Sequence, residues 1–163
     1  MEIEALTDQQ AVQALALVAD YRGTVPDPAG LRELDRRLRE AGDDPELAGY
    51  ATPDGEVSDG ELARAALTHL ARIPEHAETV RRAVSIAATD TTRFIEPATL
   101  AIGGLVLVAL QTEIELTRTS TGRWRLRIHK TAISDSTLGK VLSALVDRFR
   151  HTPHLTRGVQ REE

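Results

Sequence analysis

Sixteen uncharged residues in a row, from Pro97 to Thr112, separate Glu96 from Glu113 and constrain the fold more than any other feature. The run is apolar on every side of a helix, so a helix built from it needs apolar surroundings all round. It would rise only about 24 Å, short of the roughly 30 Å hydrocarbon core of a membrane. We therefore expect a central core helix, with an oligomer interface and conditional membrane insertion as the alternatives.

Two adjacent glycines, Gly103 and Gly104, lie inside this run. Glycines let another helix approach closely, and they cost helix stability if nothing does. Together with Leu107 they are the candidate residues for an oligomer contact or a membrane-inserting helix. No glycine-rich loop follows a strand here, as phosphate binding would require.

The composition favours helices. The chain is 41% hydrophobic but only 3% aromatic, so its interior must be built from Leu, Val, Ile and Ala, which favours helix packing over a sandwich or barrel. There is no Cys, which excludes disulfides, thiolate nucleophiles and Cys-containing metal sites. At 163 residues the chain can bury a real core.

Capping signals mark where helices begin. Ser or Thr followed three residues later by Glu or Gln predicts a capping box, and Asp before Pro predicts an N-cap with Pro at the first helical position. Apolar residues at helical spacing follow each signal. The predicted helix starts are Thr7, Asp27, Ser58, Pro74, Pro97, and Ser134 or Asp135.

The second helix is charged on the face opposite its leucines. Glu33 with Arg37, and Asp35 with Arg39, are spaced four residues apart and predict ion pairs along that face. This pattern indicates a solvent-exposed face without a binding role.

After Thr112 the hydrophobic period changes from helical to two, which predicts a hairpin. A three-residue loop, Ser120-Thr121-Gly122, with Gly122 in the left-handed conformation, sets the register. That register pairs Leu116 with Leu126, Ile114 with Ile128, Glu115 with Arg127, and Glu113 with His129. Because an isolated hairpin is marginal in water, we expect its apolar face, with Trp124, to pack on the fifth or sixth helix.

The outer face of the second strand carries a basic stripe, Arg123, Arg125, Arg127 and His129. Such a stripe could lie along phosphates or anionic lipid. Since Glu113 and Glu115 neutralise half of it, the sequence favours a salt-bridged solvent face over nucleic-acid binding.

Residues 54–61 resemble the second half of an EF-hand calcium loop. The carboxylates Asp54, Glu56, Asp59 and Glu61 are the candidate metal ligands, but Tyr50 and Thr52 stand where the first two ligands belong. The same eight residues also resemble an acidic turn of some helical tellurite-resistance-type domains. An acidic turn leading into a capping box explains the segment without metal, so calcium is the weaker expectation and no cofactor the stronger one.

Charge divides the chain into two regions. Residues 1–90 carry eighteen acidic and nine basic residues, a net charge of −9, whereas residues 91–163 carry seven acidic and eleven basic residues, a net charge of +4. We expect an acidic helical region, 1–90, packed with a helix-hairpin-helix region, 91–155, and a flexible tail, 156–163. The predicted fold class is mainly α (α+β): a bundle of about six helices with one two-stranded antiparallel hairpin between the last two.

The sequence contains no catalytic motif, so we expect a non-catalytic interaction module, such as an adaptor, regulator or accessory subunit, bound to a protein partner or to copies of itself. The alternatives are a membrane-active effector that uses residues 97–112 and a regulatory protein that binds divalent cations weakly. Met1-Glu2-Ile3-Glu4 lacks the basic and apolar regions of a secretory signal, so we expect a cytoplasmic location.

Overall fold

The computed structural model describes residues 3–23, 25–42, 49–50, 57–89, 101–111, 114–128 and 137–148. These residues form six α-helices and a two-stranded antiparallel sheet, which lies between the last two helices as predicted. A short 3-10 turn, Ile3–Ala5, precedes the first helix. The α-helices are α1 (Asp8–Arg22), α2 (Pro28–Ala41), α3 (Asp59–Ala71), α4 (Pro74–Thr89), α5 (Ile102–Ala109) and α6 (residues 137–148), and the strands are β1 (Ile114–Arg118) and β2 (Trp124–Ile128).

Three of the predicted caps, Thr7, Asp27 and Ser58, form as hydrogen bonds. Both capping boxes are complete: in the second one, Ser58 Oγ accepts from the Glu61 backbone N–H at 3.1 Å, and the Glu61 carboxylate accepts from the Ser58 N–H at 2.9 Å. Asp27 caps α2 by accepting from the Gly30 N–H at 2.8 Å. Helix starts were therefore readable from the sequence wherever a polar cap directly precedes the first turn.

The fifth helix is shorter than predicted. Ala101 has an extended backbone and lacks a side-chain cap, so α5 begins at Ile102 and not at Pro97. The cap comes from elsewhere in the chain, because the Asp35 carboxylate on α2 accepts the Gly103 N–H at 2.9 Å. With eight residues, α5 rises about 12 Å. No helix within the described ranges combines the length and the apolarity that crossing a membrane requires.

The hairpin has the predicted register. Ile114 pairs with Ile128, Glu115 with Arg127, and Leu116 with Leu126. Gly122 has φ 87°, the left-handed conformation expected for the last loop residue. The Glu113–His129 pair lies outside the described residues.

The core is built around α1. This helix packs against α3, α4 and α5, while α2 packs against α5 and the hairpin. Helix α6 runs antiparallel to α3, because Thr137 contacts His69 near the end of α3 and Arg148 contacts Asp59 at its start. Leucines from both charge regions share this core, among them Leu15, Leu67, Leu105 and Leu142.

The hairpin lies on α2, whereas we expected it on the fifth or sixth helix. Both strands contact α2, β2 the more extensively. The reason is that α2 offers more than its leucine stripe: the guanidinium of Arg37 covers the Trp124 ring, and Glu40 accepts the Trp124 N–H. The predicted caps Ser134 and Asp135 and the expected tail, 156–163, lie outside the described residues.

Candidate functional site

A groove of about 440 Å³ lies beside the hairpin, between α2, the end of α5 and β1. We call it the hairpin groove. Six apolar side chains line it: Leu34, Leu107, Val108, Ile114, Leu116 and Trp124. Apolar walls of this kind bind ligands by excluding water from apolar surface.

The ends of α1 and α5 close one side of the hairpin groove. Arg22 donates to the carbonyl of Ala109 at 2.5 Å, and the Gln111 side-chain amide donates to the carbonyl of Arg22 at 3.0 Å. Because both bonds join residues almost ninety positions apart, they hold this wall at a fixed distance from α1. Gln111 and Gly23 both line the groove.

Two cations lie over the ring of Trp124, the single tryptophan of the chain. The guanidinium carbons of Arg37 and Arg118 lie 4.5 and 5.1 Å from the ring centroid, within the range of cation–π attraction. The Trp124 backbone N–H donates to Glu40 Oε2 at 3.2 Å. These contacts fix the ring at the groove wall before any ligand binds.

The charges near the groove are partly compensated. Glu33 accepts from Arg37 Nε at 2.9 Å, and hydrogen bonds from Arg36 and then Arg37 lower the pKa of Glu33 to about 2. Arg118 donates to the carbonyl of Gly122 at 3.2 Å and forms no ion pair within the described part of the chain. Arg118 is therefore the cation at this site that can receive a carboxylate.

No family model, no curated protein and no solved structure matches the chain.

The predicted basic stripe does share one face. Arg123, Arg125 and Arg127 are all exposed on the outer side of β2, with Glu115 paired across from Arg127. His129 lies outside the described residues. The stripe faces away from the apolar side that packs on α2, so it forms a separate surface.

Two of the four candidate metal ligands, Asp59 and Glu61, lie within the described residues, and Asp54 and Glu56 lie outside them. Asp59 accepts from Arg148 at 2.7 Å, and Glu61 caps α3. A second cleft, of about 690 Å³, opens here at the starts of α1 and α3. Among the described residues no group of three or more His, Asp or Glu side chains could hold a metal ion.

The two glycines of α5 are buried inside a single copy of the chain. A Cβ on Gly104 would lie 2.6 Å from the backbone carbonyl oxygen of Leu31, so α2 is the helix that approaches closely. Leu107 is 8% exposed and lines the hairpin groove. An oligomer or membrane contact through these glycines would require α2 to leave them.

Sequence reasoning missed the role of α2 at this site. Arg37 and Leu34 line the groove. The spacing of Glu33 and Arg37 predicted only that Arg37 forms an exposed ion pair with Glu33. His69, for which its place at a helix junction predicts a capping or surface role, is instead 1% exposed and lies 2.8 Å from the Thr137 hydroxyl. Because Thr137 is only 9% exposed, we interpret this contact as structural.

Proposed function

We propose that this protein is a non-catalytic protein–protein interaction module that holds a partner in the hairpin groove. The observation that carries the proposal is the Trp124 ring at the edge of an apolar groove, with the guanidiniums of Arg37 and Arg118 over it. Tryptophan and arginine are the residues most enriched among those that dominate binding energy at protein interfaces. An anchored ring also loses little conformational freedom on binding.

The proposal predicts partners whose binding depends on the groove. Val108→Asp would place a carboxylate on the apolar wall formed by α5, where a bound partner would leave it buried and unpaired. The matched control is Ile86→Asp, which changes an exposed apolar residue of α4, 42% exposed and outside the groove. Wild type and both variants are used as baits in lysate of the native host at low salt, and captured proteins are quantified by mass spectrometry.

We expect a stoichiometric partner that wild type and Ile86→Asp capture equally and that Val108→Asp loses by about tenfold or more. Thermal unfolding of each bait shows that it is folded. Should Val108→Asp fail to fold, Leu116→Thr removes apolar surface from the same groove and introduces a β-branched residue, which strands favour. Equal capture of every protein by folded groove variants would overturn the proposal.

A second candidate function rests on the basic stripe, because three exposed guanidiniums share one face. Such a face could hold an anionic polymer through its phosphates. A gel shift with duplex DNA at low salt that disappears when Arg123, Arg125 and Arg127 are changed to Glu would support it. The absence of any shift at low salt would count against it.

A further inference from the structure

Among the residues that the structure describes, no strand pairs with the outer edge of β1. Hydrogen bonding alternates along an antiparallel pair, so that every second residue directs its N–H and C=O groups away from the partner strand. The Thr119 N–H donates to the Arg123 carbonyl at 2.8 Å, which identifies that pair as a bonded one. Counting back along β1 by twos, Thr117 and Glu115 face β2, whereas Leu116 and Arg118 direct their backbone groups outward.

Two observed bonds agree with this assignment. Ile114 and Trp124 belong to the same outward set, and each donates its N–H outside the ladder: Ile114 to the Leu110 carbonyl at 3.0 Å, and Trp124 to Glu40 at 3.2 Å. Glu40 thus occupies the outer edge of β2. On β1, the N–H groups of Leu116 and Arg118 have no hydrogen-bond partner among the described residues.

The hairpin groove begins at this same edge. Ile114 and Leu116 line it from β1, and Leu34 and Val108 line it from the helices beyond. A strand added to β1 would lie about 4.8 Å from it, and its side chains would point alternately toward the groove and toward solvent. Backbone hydrogen bonds would then supply affinity, and the groove would select the alternate side chains.

We propose that an extended segment of a partner protein adds to β1 as a third strand, with apolar residues at alternate positions in the hairpin groove and a carboxylate beside Arg118. The inference rests on the proposed function and names the form of the partner. Apolar residues are required because the groove walls are apolar, and the carboxylate because Arg118 forms no ion pair within the described part of the chain. The exposed position of Arg118 at the end of β1 leaves room for that contact.

The test begins with a peptide library. Random dodecapeptides displayed on phage are selected on the wild-type protein and counter-selected on Val108→Asp. We expect an enriched pattern of apolar residues at every second position, with Asp or Glu at one end. Arg118→Glu should weaken such a peptide by about tenfold, and replacing its acidic residue with Lys should restore binding.

Amide hydrogen exchange, followed by NMR, then tests the geometry. Binding of the selected peptide should slow exchange of the Leu116 and Arg118 amides by about tenfold or more. The Thr117 amide, which faces β2, is the internal control and should change far less. Protection confined to the two outward amides is the result that strand addition requires.

The other outcomes separate this inference from the proposed function. Groove-dependent peptides that leave both outward amides unprotected would overturn strand addition and leave the interaction module standing. Peptides with apolar residues spaced as on a helix would do the same. A free protein that is dimeric, with Leu116 already protected, would assign the edge to a second copy and overturn the inference. Failure to select any groove-dependent peptide would contradict both proposals.

Discussion

The pKa values of two carboxylates on α2 shift in opposite directions, although the two residues are only two positions apart. The Glu33 side chain is 42% exposed, and hydrogen bonds from Arg36 and Arg37 lower its pKa from 4.5 to about 2. Asp35 is mostly buried, and the loss of solvation raises its pKa in spite of Arg39 and the Gly103 N–H. Exposure thus decides which carboxylate gains from ionising in the folded chain.

Replacing Glu33 tests this difference as a function of pH. A lowered pKa in the folded state contributes stability above pH 4.5, and that contribution is lost as pH falls toward about 2. We therefore expect Glu33→Gln to be less stable than wild type near neutral pH, with a gap that closes as the solution is acidified. Urea unfolding of both proteins at several pH values measures the gap.

Asp35→Asn provides the opposite sign as a control. Because the pKa of Asp35 is raised, ionisation opposes folding, and wild type should gain stability relative to Asp35→Asn as pH falls through the raised pKa. A stability gap between wild type and Glu33→Gln that does not change with pH would contradict the assignment of its partners.

At this scale the sequence predicted neighbours and missed distant contacts. The ion pairs Glu33–Arg37 and Asp35–Arg39 are confirmed at 2.9 and 2.8 Å, since spacing along a helix is set by the sequence itself. The second role of Asp35, as the cap of α5, depends on a residue 68 positions away. No local pattern encodes such a contact.

Among the elements, α2 links the core to the candidate site. One side of it lies against α5, where Gly104 allows the close approach, and another side supports the hairpin through Arg37 and Glu40. The groove exists because α2 holds the hairpin and α5 apart at fixed positions. A substitution that disturbs the contact between α2 and α5 should therefore lower the free energy of unfolding of the protein.

Gly104→Ala tests this contact. Its Cβ would lie 2.6 Å from the Leu31 carbonyl oxygen and 3.2 Å from the Leu34 Cβ, so one of the two helices must shift. We expect a loss of about 1–3 kcal/mol in the free energy of unfolding, measured by chemical denaturation.

Gly139→Ala is the matched control. Gly139 lies in α6, and a Cβ there would meet no atom of the described residues within 4 Å. The free energy of unfolding of this variant should rise by about 0.5–1 kcal/mol, because alanine loses less backbone entropy than glycine on entering a helix. If Gly104→Ala gained stability as Gly139→Ala does, helix propensity would outweigh any cost of the close approach, and the assigned contact would be wrong.

The hairpin shows where element-level prediction succeeds and where it stops. Its register and the left-handed Gly122 followed from alternation and loop chemistry, which are local. Its position on α2 did not, because the contact of Arg37 with Trp124 joins residues 87 positions apart. The hairpin groove depends on that position and therefore could not be predicted from the sequence. The basic stripe on the outer face could be predicted, because it follows from alternation along one strand.

At the scale of the whole molecule, the charge boundary near residue 90 does not divide the core. Leu15 and Leu67 from the acidic region share one buried cluster with Leu105 and Leu142 from the basic region. The two ends of α6 are also joined to α3, through Thr137 and Arg148. Charge patterning governs association more than folding, so a charge boundary need not be a folding boundary.

A single core predicts a single unfolding transition. Trp124 reports on the hairpin in the basic region, and far-ultraviolet circular dichroism reports mainly on the helices, most of which lie in the acidic region. We expect both signals to change at the same urea concentration, because loss of either region exposes the buried surface of the other. Leu67 is fully buried in α3. Leu67→Ala should lower both midpoints together and reduce the free energy of unfolding by about 2–5 kcal/mol. Loss of the helical signal while the fluorescence of Trp124 stayed native would show instead that the basic region folds independently of the acidic one.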